Sequence, residues 1–151
     1  MNTLDAVAYR TALARGFLAE AEQDIGLERW RSCVDNSQLT VENAGKAALA
    51  LFNIPPKTQD PALHIAAVLR TQKLPEAVRV IMERMLPDLL ALCAKEHFLI
   101  DYGDEATNTL PWELFTRESA EEALAAARRS AQMSKDLVQA VQQWRDETGQ
   151  T

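Results

Sequence analysis

The side chains best suited to catalysis are few in this chain and fall into no catalytic pattern. Its two histidines are His64 and His97. A histidine can move protons near neutral pH because its ordinary pKa is about 6.5. His97 is therefore the candidate for proton transfer or metal binding, although a lone histidine at a helix end more often caps the helix or faces solvent. Neither a Gly-rich phosphate loop nor a Ser-His-Asp order occurs in the sequence.

A second group of polar side chains lies in the segment SQLTVENAGKAALALF, residues 37–52, which otherwise reads as a buried helix. Gln38, Glu42 and Lys46 are spaced by four residues and therefore share one face of a helix. Glu42 and Lys46 have the acid-before-base order that stabilises a helix slightly. The spacing leaves two interpretations open. One is a solvated face with an ion pair, and the other is a subunit interface or cleft where buried polar groups must be hydrogen-bonded.

The same segment contains small residues that allow another helix to approach closely: Ala44, Gly45, Ala47 and Ala48. Close approach leaves little room for water. In the interface interpretation, Glu42 and Asn43 satisfy buried donors and acceptors across that contact.

Two surface groups are weaker candidates. Tyr102 with Asp104 and Glu105 could bind a cation or a partner, although carboxylates on a loop usually belong to a solvated turn. A basic strip for RNA or an acidic partner would consist of Arg29, Arg31, Arg128, Arg129 and Lys135, although surface charge is the simpler interpretation. The net charge of -6 gives no support to tight non-specific binding of nucleic acid.

Helices must position these groups, because apolar residues recur at steps of three and four and no strand pattern is visible. The predicted helices run from Leu4 to about Cys33, from an Asn36 or Ser37 cap to about Phe52, from Pro61 to Arg70, from about Pro75 through a kink at Pro87, and from a Thr116 cap to about Glu147. The predicted fold is an all-α, up-and-down bundle of about five helices, formed by a single domain over residues 1–151.

The segment LIDYGDEATNTLPWELFT, residues 99–116, has no helical period and contains the turn-forming pair Gly103-Asp104. It is predicted to be an ordered loop. Its large apolar side chains are expected to pack against the bundle: Tyr102, Leu110, Trp112 and Phe115.

Composition favours an ordinary globular protein, with 47% hydrophobic and 25% charged residues in 151. Cys33 and Cys93 are far apart and form no CxxC pair, which argues against a metal site or a disulfide framework. No signal-type segment and no run of eighteen uncharged apolar residues is present. We therefore expect a cytoplasmic protein that does not span a membrane.

Three segments carry a resemblance to a known family. SQLTVENAGKAALALF resembles the "aqqAvEkaaKAll" signature of HEPN proteins (higher eukaryotes and prokaryotes nucleotide-binding), especially the stand-alone archaeal and bacterial members. DYGDEATNTLPWELFTRESAEEALAAA is similar to their "RYgDe…tPwElYtreeAeeal" stretch, and PPKTQDP to their "PPkThDP" loop. Together the segments cover the chain in the right order from about Gly16 to Leu137.

The resemblance implies a bundle of four or five helices with a four-helix core, commonly homodimeric. It also implies that a minimal nucleotidyltransferase is often encoded beside such a protein, in many cases as a toxin–antitoxin pair. Active members of the family are metal-independent ribonucleases whose dimer cleft holds an Arg followed after four to six residues by a His. The guanidinium neutralises the scissile phosphate while the imidazole moves a proton.

That motif is absent from this chain. The positions that would supply the Arg hold Leu90, Ala91 and Leu92 before His97, and Lys57, Thr58 and Gln59 before His64. Asp101 stands where the relatives usually have Arg, and Gln59 stands where their loop usually has His. Both differences remove groups that could meet a phosphate.

We therefore predict a non-catalytic, homodimeric binding module with no catalytic residue, no metal ligand and no cofactor. Its expected partner is a nucleotidyltransferase-like protein, a nucleotide or RNA. The predicted binding residues are Gln38, Glu42, Asn43, Lys46, Tyr102 and Asp104. The alternatives are a metal-independent endoribonuclease with an atypical group such as His97, and a structural assembly subunit without a ligand.

Overall fold

The fold is described from a computed structural model that covers residues 3–54, 60–93 and 96–149, with the side chains of 96–98 left undescribed. Within these ranges the chain forms seven helices and no strand. They are α1 (Thr3–Gly26), α2 (Trp30–Ala50), α3 (Pro61–Thr71), α4 (Glu76–Cys93), α5 (Glu96–Tyr102), α6 (Pro111–Leu114) and α7 (Arg117–Glu147). The all-α prediction is confirmed, and the five predicted helices are joined by two short ones, α5 and α6.

The boundary between the first two helices differs from the prediction. The first helix ends at Gly26 rather than near Cys33, and the segment VDNS, predicted as a turn, lies inside α2. The chain instead reverses around Glu28, whose φ is 57°. The amide of Arg29 closes this turn by donating to the carbonyl of Asp24 at 2.9 Å.

Asn36 of VDNS makes a tertiary contact rather than a helix cap. Asn36 Nδ2 donates to the Asp24 carboxylate of α1 at 2.8 Å. Ser37 is fully buried. Asn36 is of a residue type that favours helix caps, but it lies inside α2. Its side chain bonds to Asp24, twelve positions earlier on α1, instead of to its own backbone.

The other predicted helix starts are confirmed. The Asp60 carboxylate caps α3 by accepting the amide of Leu63 at 3.3 Å. The hydroxyl of Thr116 accepts the amide of Ser119 at 3.2 Å at the start of α7. The fourth helix continues through Pro87, as its apolar rhythm predicts.

The segment predicted as a loop is helical at both ends, since it contains the end of α5 and all of α6. Between them the backbones of Asp104 and Thr109 exchange two hydrogen bonds of 2.9 Å. Gly103 enters this turn with φ of 70°, and a Cβ there would lie 2.1 Å from the carbonyl oxygen of Thr109. The turn therefore requires glycine.

The long helices form an up-and-down bundle around α2. Contacts of Arg10 with Asn43 and of Asp24 with Asn36 show that α1 runs antiparallel to α2. Helix α7 runs parallel to α2, because the Cys33 thiol faces the Ala120 carbonyl and Arg145 donates to the Leu51 carbonyl. Helices α3 and α4 pack against another side of α2. None of the described helices is both long and apolar enough to cross a membrane.

The small residues of α2 are used inside the chain. A Cβ on Gly45 would lie 2.9 Å from Leu89 Cδ2 and 3.1 Å from Pro61 Cβ. Ala44, Ala47 and Ala48 are buried in the same core. The close helix approach that these residues predict is therefore the approach of α2 to its neighbours in one bundle.

Candidate functional site

The predicted binding residues lie on two separate parts of the molecule. Four belong to α2, whereas Tyr102 ends α5 and Asp104 lies in the turn after it. The α5 end meets the beginning of α2, where Arg31 Nη1 donates to the Ile100 carbonyl at 3.0 Å. Lys46 is fifteen residues further along α2, which corresponds to about 22 Å of helix. The α5 group therefore lies beside the beginning of α2, whereas the α2 group extends along the helix away from it.

Two of the α2 residues lie inside the bundle. Gln38 is fully buried, and Asn43 is buried between α1 and α2. The Asn43 carbonyl oxygen accepts from Arg10 Nη1 at 3.0 Å, and its amide donates to the Leu39 carbonyl at 2.9 Å. Asn43 thus satisfies a donor across a helix contact, and that contact joins two helices of the same chain.

Glu42 and Lys46 form the ion pair that their spacing predicts, with 3.6 Å between Nζ and Oε1. Each side chain keeps 15% of its surface exposed, so the pair is sheltered in a single copy of the chain. Removing one partner from a sheltered pair leaves the other charge poorly solvated. We call Glu42 and Lys46, with the adjoining buried Gln38 and Asn43, the α2 polar face.

The second surface is made of exposed apolar side chains beside the Gly103 turn. Tyr102, Leu110 and Trp112 are 63%, 55% and 70% exposed. These three side chains and Phe115 were predicted to pack against the bundle; Phe115 is buried, whereas the other three keep more than half of their surface exposed. The Trp112 ring lies against the guanidinium of Arg31, 5.9 Å from the ring centroid. We call Tyr102, Asp104, Leu110 and Trp112 the aromatic edge.

Negative charge surrounds the aromatic edge. The segment 101–113 contains four carboxylates, Asp101, Asp104, Glu105 and Glu113, and no lysine or arginine. Arg31 approaches from α2, with its Nη1 4.0 Å from Asp101 Oδ1. One Asp104 oxygen accepts the Ala106 amide at 3.0 Å, which stabilises the turn. An open groove of about 590 Å³ runs along this side and is lined by Leu99, Tyr102, Gly103, Asp104, Glu105 and Ala106.

Sequence reasoning missed Trp112 as a surface residue and assigned it to packing. A usable signal was present, because four acids without a compensating base surround it in sequence. A segment of that charge is poorly suited to a buried position.

Of the two histidines weighed for catalysis, only His64 has a described side chain. His64 lies half-buried on α3. His97 belongs to α5, but its side chain lies outside the described residues, as do Lys57, Thr58 and Gln59. Among the described side chains no three of the His, Cys, Asp and Glu type are grouped so that they could hold a metal ion.

The predicted basic strip on the last helix is divided between two neighbours. Arg129 forms two hydrogen bonds to Asp88 of α4, at 2.9 and 3.2 Å, and this carboxylate raises the pKa of the Arg129 guanidinium above its usual range. Arg128 turns to the other side and pairs with Glu22 of α1 at 3.4 Å. Adjacent residues on one helix therefore link α7 to two different helices.

Cys33 is an inert core residue. It is fully buried, and burial raises the pKa of its thiol. A thiol that stays protonated is a poor nucleophile. Cys93 is half-buried, and neither cysteine belongs to a disulfide.

Comparison with known proteins gives one match. The sequence model of a family described as the HEPN domain matches residues 8–137, a range that extends from α1 into α7. No curated protein and no solved structure was found to match the chain.

Proposed function

The chain belongs to the HEPN domain family, whose model covers residues 8–137 of its 151, and from this premise we propose that it is a non-catalytic, homodimeric binding module. Its proposed partner is a nucleotidyltransferase-like protein, as in a toxin–antitoxin pair, with a nucleotide as the second class of ligand. The module needs no cofactor in this proposal. HEPN domains commonly dimerise.

The sequence supports the absence of catalysis. The ribonuclease members that the family resemblance describes need an Arg four to six residues before a His, and neither His64 nor His97 has one. Asp101 adds a negative charge where the relatives usually carry a positive one. It lies near Arg31, so the pair contributes little net charge for holding a phosphate.

One observation carries the partner proposal: the aromatic edge exposes three large apolar side chains on two backbone segments that meet at the Gly103 turn. The turn brings them together, since a Cβ on Gly103, next to Tyr102, would lie 2.9 Å from the Leu110 carbonyl carbon. Exposed apolar patches rimmed by polar residues mark protein contacts, and aromatic residues dominate their binding energy. The four carboxylates nearby favour a partner surface that offers an apolar pocket with basic residues around it.

For the dimer, we propose a contact on the α2 polar face. Support comes from the sheltered Glu42–Lys46 pair, which lies on the one side of a central helix where charged groups remain. A second copy docked there would cover both groups further and would require that they stay paired.

The partner proposal is tested by first searching the genes beside this one for a nucleotidyltransferase-like protein and then measuring the dissociation constant of its complex with this chain. Trp112→Ala should weaken binding by about 2 kcal/mol, or roughly thirtyfold, because a central aromatic side chain would be lost from the contact. The matched control is Tyr9→Ala, which removes another exposed aromatic side chain, on α1. Equal binding by wild type and Trp112→Ala would remove the aromatic edge from the interface.

The absence of catalysis is tested by incubating the protein with RNA in the presence of EDTA. We expect no cleavage. Cleavage that His97→Ala abolishes would favour the atypical endoribonuclease instead. A protein that binds neither the neighbouring gene product nor any nucleotide, with no thermal stabilisation by a nucleotide panel, would favour the structural subunit.

A further inference from the structure

The outer side of α1 is not covered by any other described element. Helix α1 contacts α2 and α7, and no further described helix packs on it. Its outer side carries an open notch of about 290 Å³, lined by residues of this one helix: Tyr9, Ala12, Leu13, Gly16, Phe17 and Glu20. We call these six residues the α1 notch. Tyr9 is 52% exposed, and Leu13 and Phe17 are half-buried. Two aromatic rings and a leucine therefore meet solvent around a position that has no side chain.

Gly16 belongs to the notch and has no role in the packing of the described chain. A Cβ added there meets no atom within 4 Å, and its φ lies outside the left-handed region. By contrast, a Cβ added at Gly45 would lie 2.9 Å from Leu89. Glycine destabilises the middle of a helix relative to alanine, and it is favoured where another group approaches the backbone closely. At Gly16 such an approach has to come from outside the described chain.

The notch is complementary in size to a second copy of itself. A twofold axis at its centre would pair two α1 helices in antiparallel orientation, with residues equally far from the axis at the same level. Leu13 of one copy would then lie level with Gly16 of the other, and Phe17 would lie level with Ala12. Each pair joins a large side chain to a small one, and each occurs twice. The large residues of each copy therefore match the gaps of the other.

The same arrangement pairs the two polar groups of the notch. Tyr9 would lie level with Glu20 of the other copy, so that its phenol can donate to the carboxylate. Glu20 forms no ion pair with any described residue. The Tyr9 ring is placed beside the notch by Arg10, which lies 5.8 Å from the ring centroid and donates to Asn43 of α2 at 3.0 Å. All six notch residues thus find a partner of matching size or polarity.

We propose that the α1 notch is a contact between two copies of this chain, additional to the dimer contact on the α2 polar face. The two surfaces share no residue and lie on different helices. A chain with two different twofold contacts joins dimers into tetramers or larger assemblies. A contact confined to one helix of each copy falls below about 1,200 Å², the lower limit of stable interfaces, so we expect the α1 contact to be weak and reversible.

The first test uses Gly16→Ala, which should act in opposite directions within and between chains. Within the chain it should raise Tm, measured at low protein concentration, by about 1 to 4 °C, because alanine favours the helix. Between chains it should weaken the α1 contact about tenfold, because the added methyl group meets Leu13 of the other copy. Sedimentation equilibrium measures the association. The matched control is Gly26→Ala at the end of α1, where an added Cβ also meets no atom within 4 Å. Its association should stay within about twofold of wild type.

A mixing experiment tests the pairing itself. Gly16→Leu places two large side chains at one level, whereas Leu13→Ala leaves two small ones there. Each variant alone should therefore associate about tenfold more weakly than wild type, or worse. In an equimolar mixture, a Gly16→Leu copy paired with a Leu13→Ala copy again joins a large residue to a small one at both levels. The mixture should associate more tightly than either variant alone, which sedimentation velocity with one labelled variant measures.

The proposal is overturned if Gly16→Leu leaves the mass of the wild-type assembly unchanged at every concentration, or if the mixture associates no more tightly than its components. Glu42→Ala distinguishes the α1 contact from the α2 contact, because it should leave the α1 contact intact. A dimer that withstands Glu42→Ala and is abolished by Gly16→Leu would support the α1 contact and remove the α2 contact. Binding of wild type to phosphatidylcholine vesicles without self-association would assign the notch to a lipid surface and overturn the proposal.

Discussion

The α2 polar face and the aromatic edge reverse the usual relation between residue type and burial. Gln38 on α2 has no exposed surface, whereas Trp112 on the edge keeps 70% of its surface exposed. Helix α2 packs against α1, α3, α4 and α7, so even its polar residues are enclosed and must find partners within the chain. The edge is attached by α5 and α6 to the beginning of α2 and covers no core on its outer side. Burial in this fold therefore follows the number of neighbouring helices more closely than it follows hydrophobicity.

The largest effect on stability is expected from filling the closest helix contact of α2. Gly45→Val should destabilise the fold by about 3 kcal/mol, because its side chain would overlap Leu89 and Pro61 in a packed core. Chemical denaturation measures the change. Gly16→Ala is the matched control, since a Cβ at Gly16 meets no atom within 4 Å and alanine should stabilise the helix by about 0.5 to 1 kcal/mol. An unchanged midpoint for Gly45→Val would show that α2 is less enclosed than its neighbours indicate.

Breaking the buried polar link of α2 should cost less. Asn43→Ala should destabilise the fold by about 1.5 kcal/mol, because Arg10 would lose its acceptor in a partly buried position. A double-mutant cycle with Arg10→Ala measures the coupling. Additive effects of the two substitutions would mean that the Arg10–Asn43 hydrogen bond contributes nothing.

On the aromatic edge, a change of shape should matter more for binding than for stability. Gly103→Ala should lower the free energy of unfolding by more than the cost of about 1 kcal/mol that a positive φ carries for a side-chain-bearing residue, because the added Cβ would also lie 2.1 Å from the Thr109 carbonyl oxygen. It should also displace Tyr102 and Leu110 and so weaken binding of the partner protein, because the new Cβ meets the Thr109 carbonyl. Gly149→Ala separates the two effects, since Gly149 has φ of 71° with no atom within 4 Å of its added Cβ. Equal behaviour of the two variants in binding would argue against a shaped edge.

The smallest effect on stability is expected from the sheltered ion pair. Glu42→Ala should destabilise the monomer by about 0.5 kcal/mol, slightly more than an exposed pair of the same spacing. It should also raise the dissociation constant of the proposed dimer, which sedimentation equilibrium measures. Glu83→Ala removes the exposed Arg79–Glu83 pair, which has the same i,i+4 spacing with the base first, and serves as the control. An unchanged dimer constant would place Glu42 outside the interface.

The sequence was sufficient to predict those features that depend on local chemistry. The α3 start follows from Asp60 and Pro61, and the α7 start from Thr116, because a cap and its amide lie within three residues of each other. The Glu42–Lys46 pair follows from helical spacing for the same reason.

Features that depend on distant partners could not be predicted. The VDNS segment has the composition of a turn, but Asn36 is held inside α2 by Asp24 of the preceding helix. The exposure of Trp112 depends on whether another helix packs over its side chain, which is a matter of tertiary structure. The ion pair of Glu22 with Arg128 requires the register of α1 against α7, which no local pattern in either helix specifies.

The hydrogen bond from Arg145 to the Leu51 carbonyl has a consequence for how the protein is made. Helix α2 leaves the ribosome long before α7. In the folded protein, Cys33 of α2 contacts Ala120 of α7, so this side of α2 stays uncovered until α7 emerges. During that interval the nascent chain exposes an alanine-rich apolar strip, and transiently exposed apolar surface of this kind is prone to aggregation and is a reason why chaperones exist. Once α7 has emerged, Arg145 bonds to the Leu51 carbonyl at the end of α2. Helix α7 then covers the strip, which can no longer contact other chains.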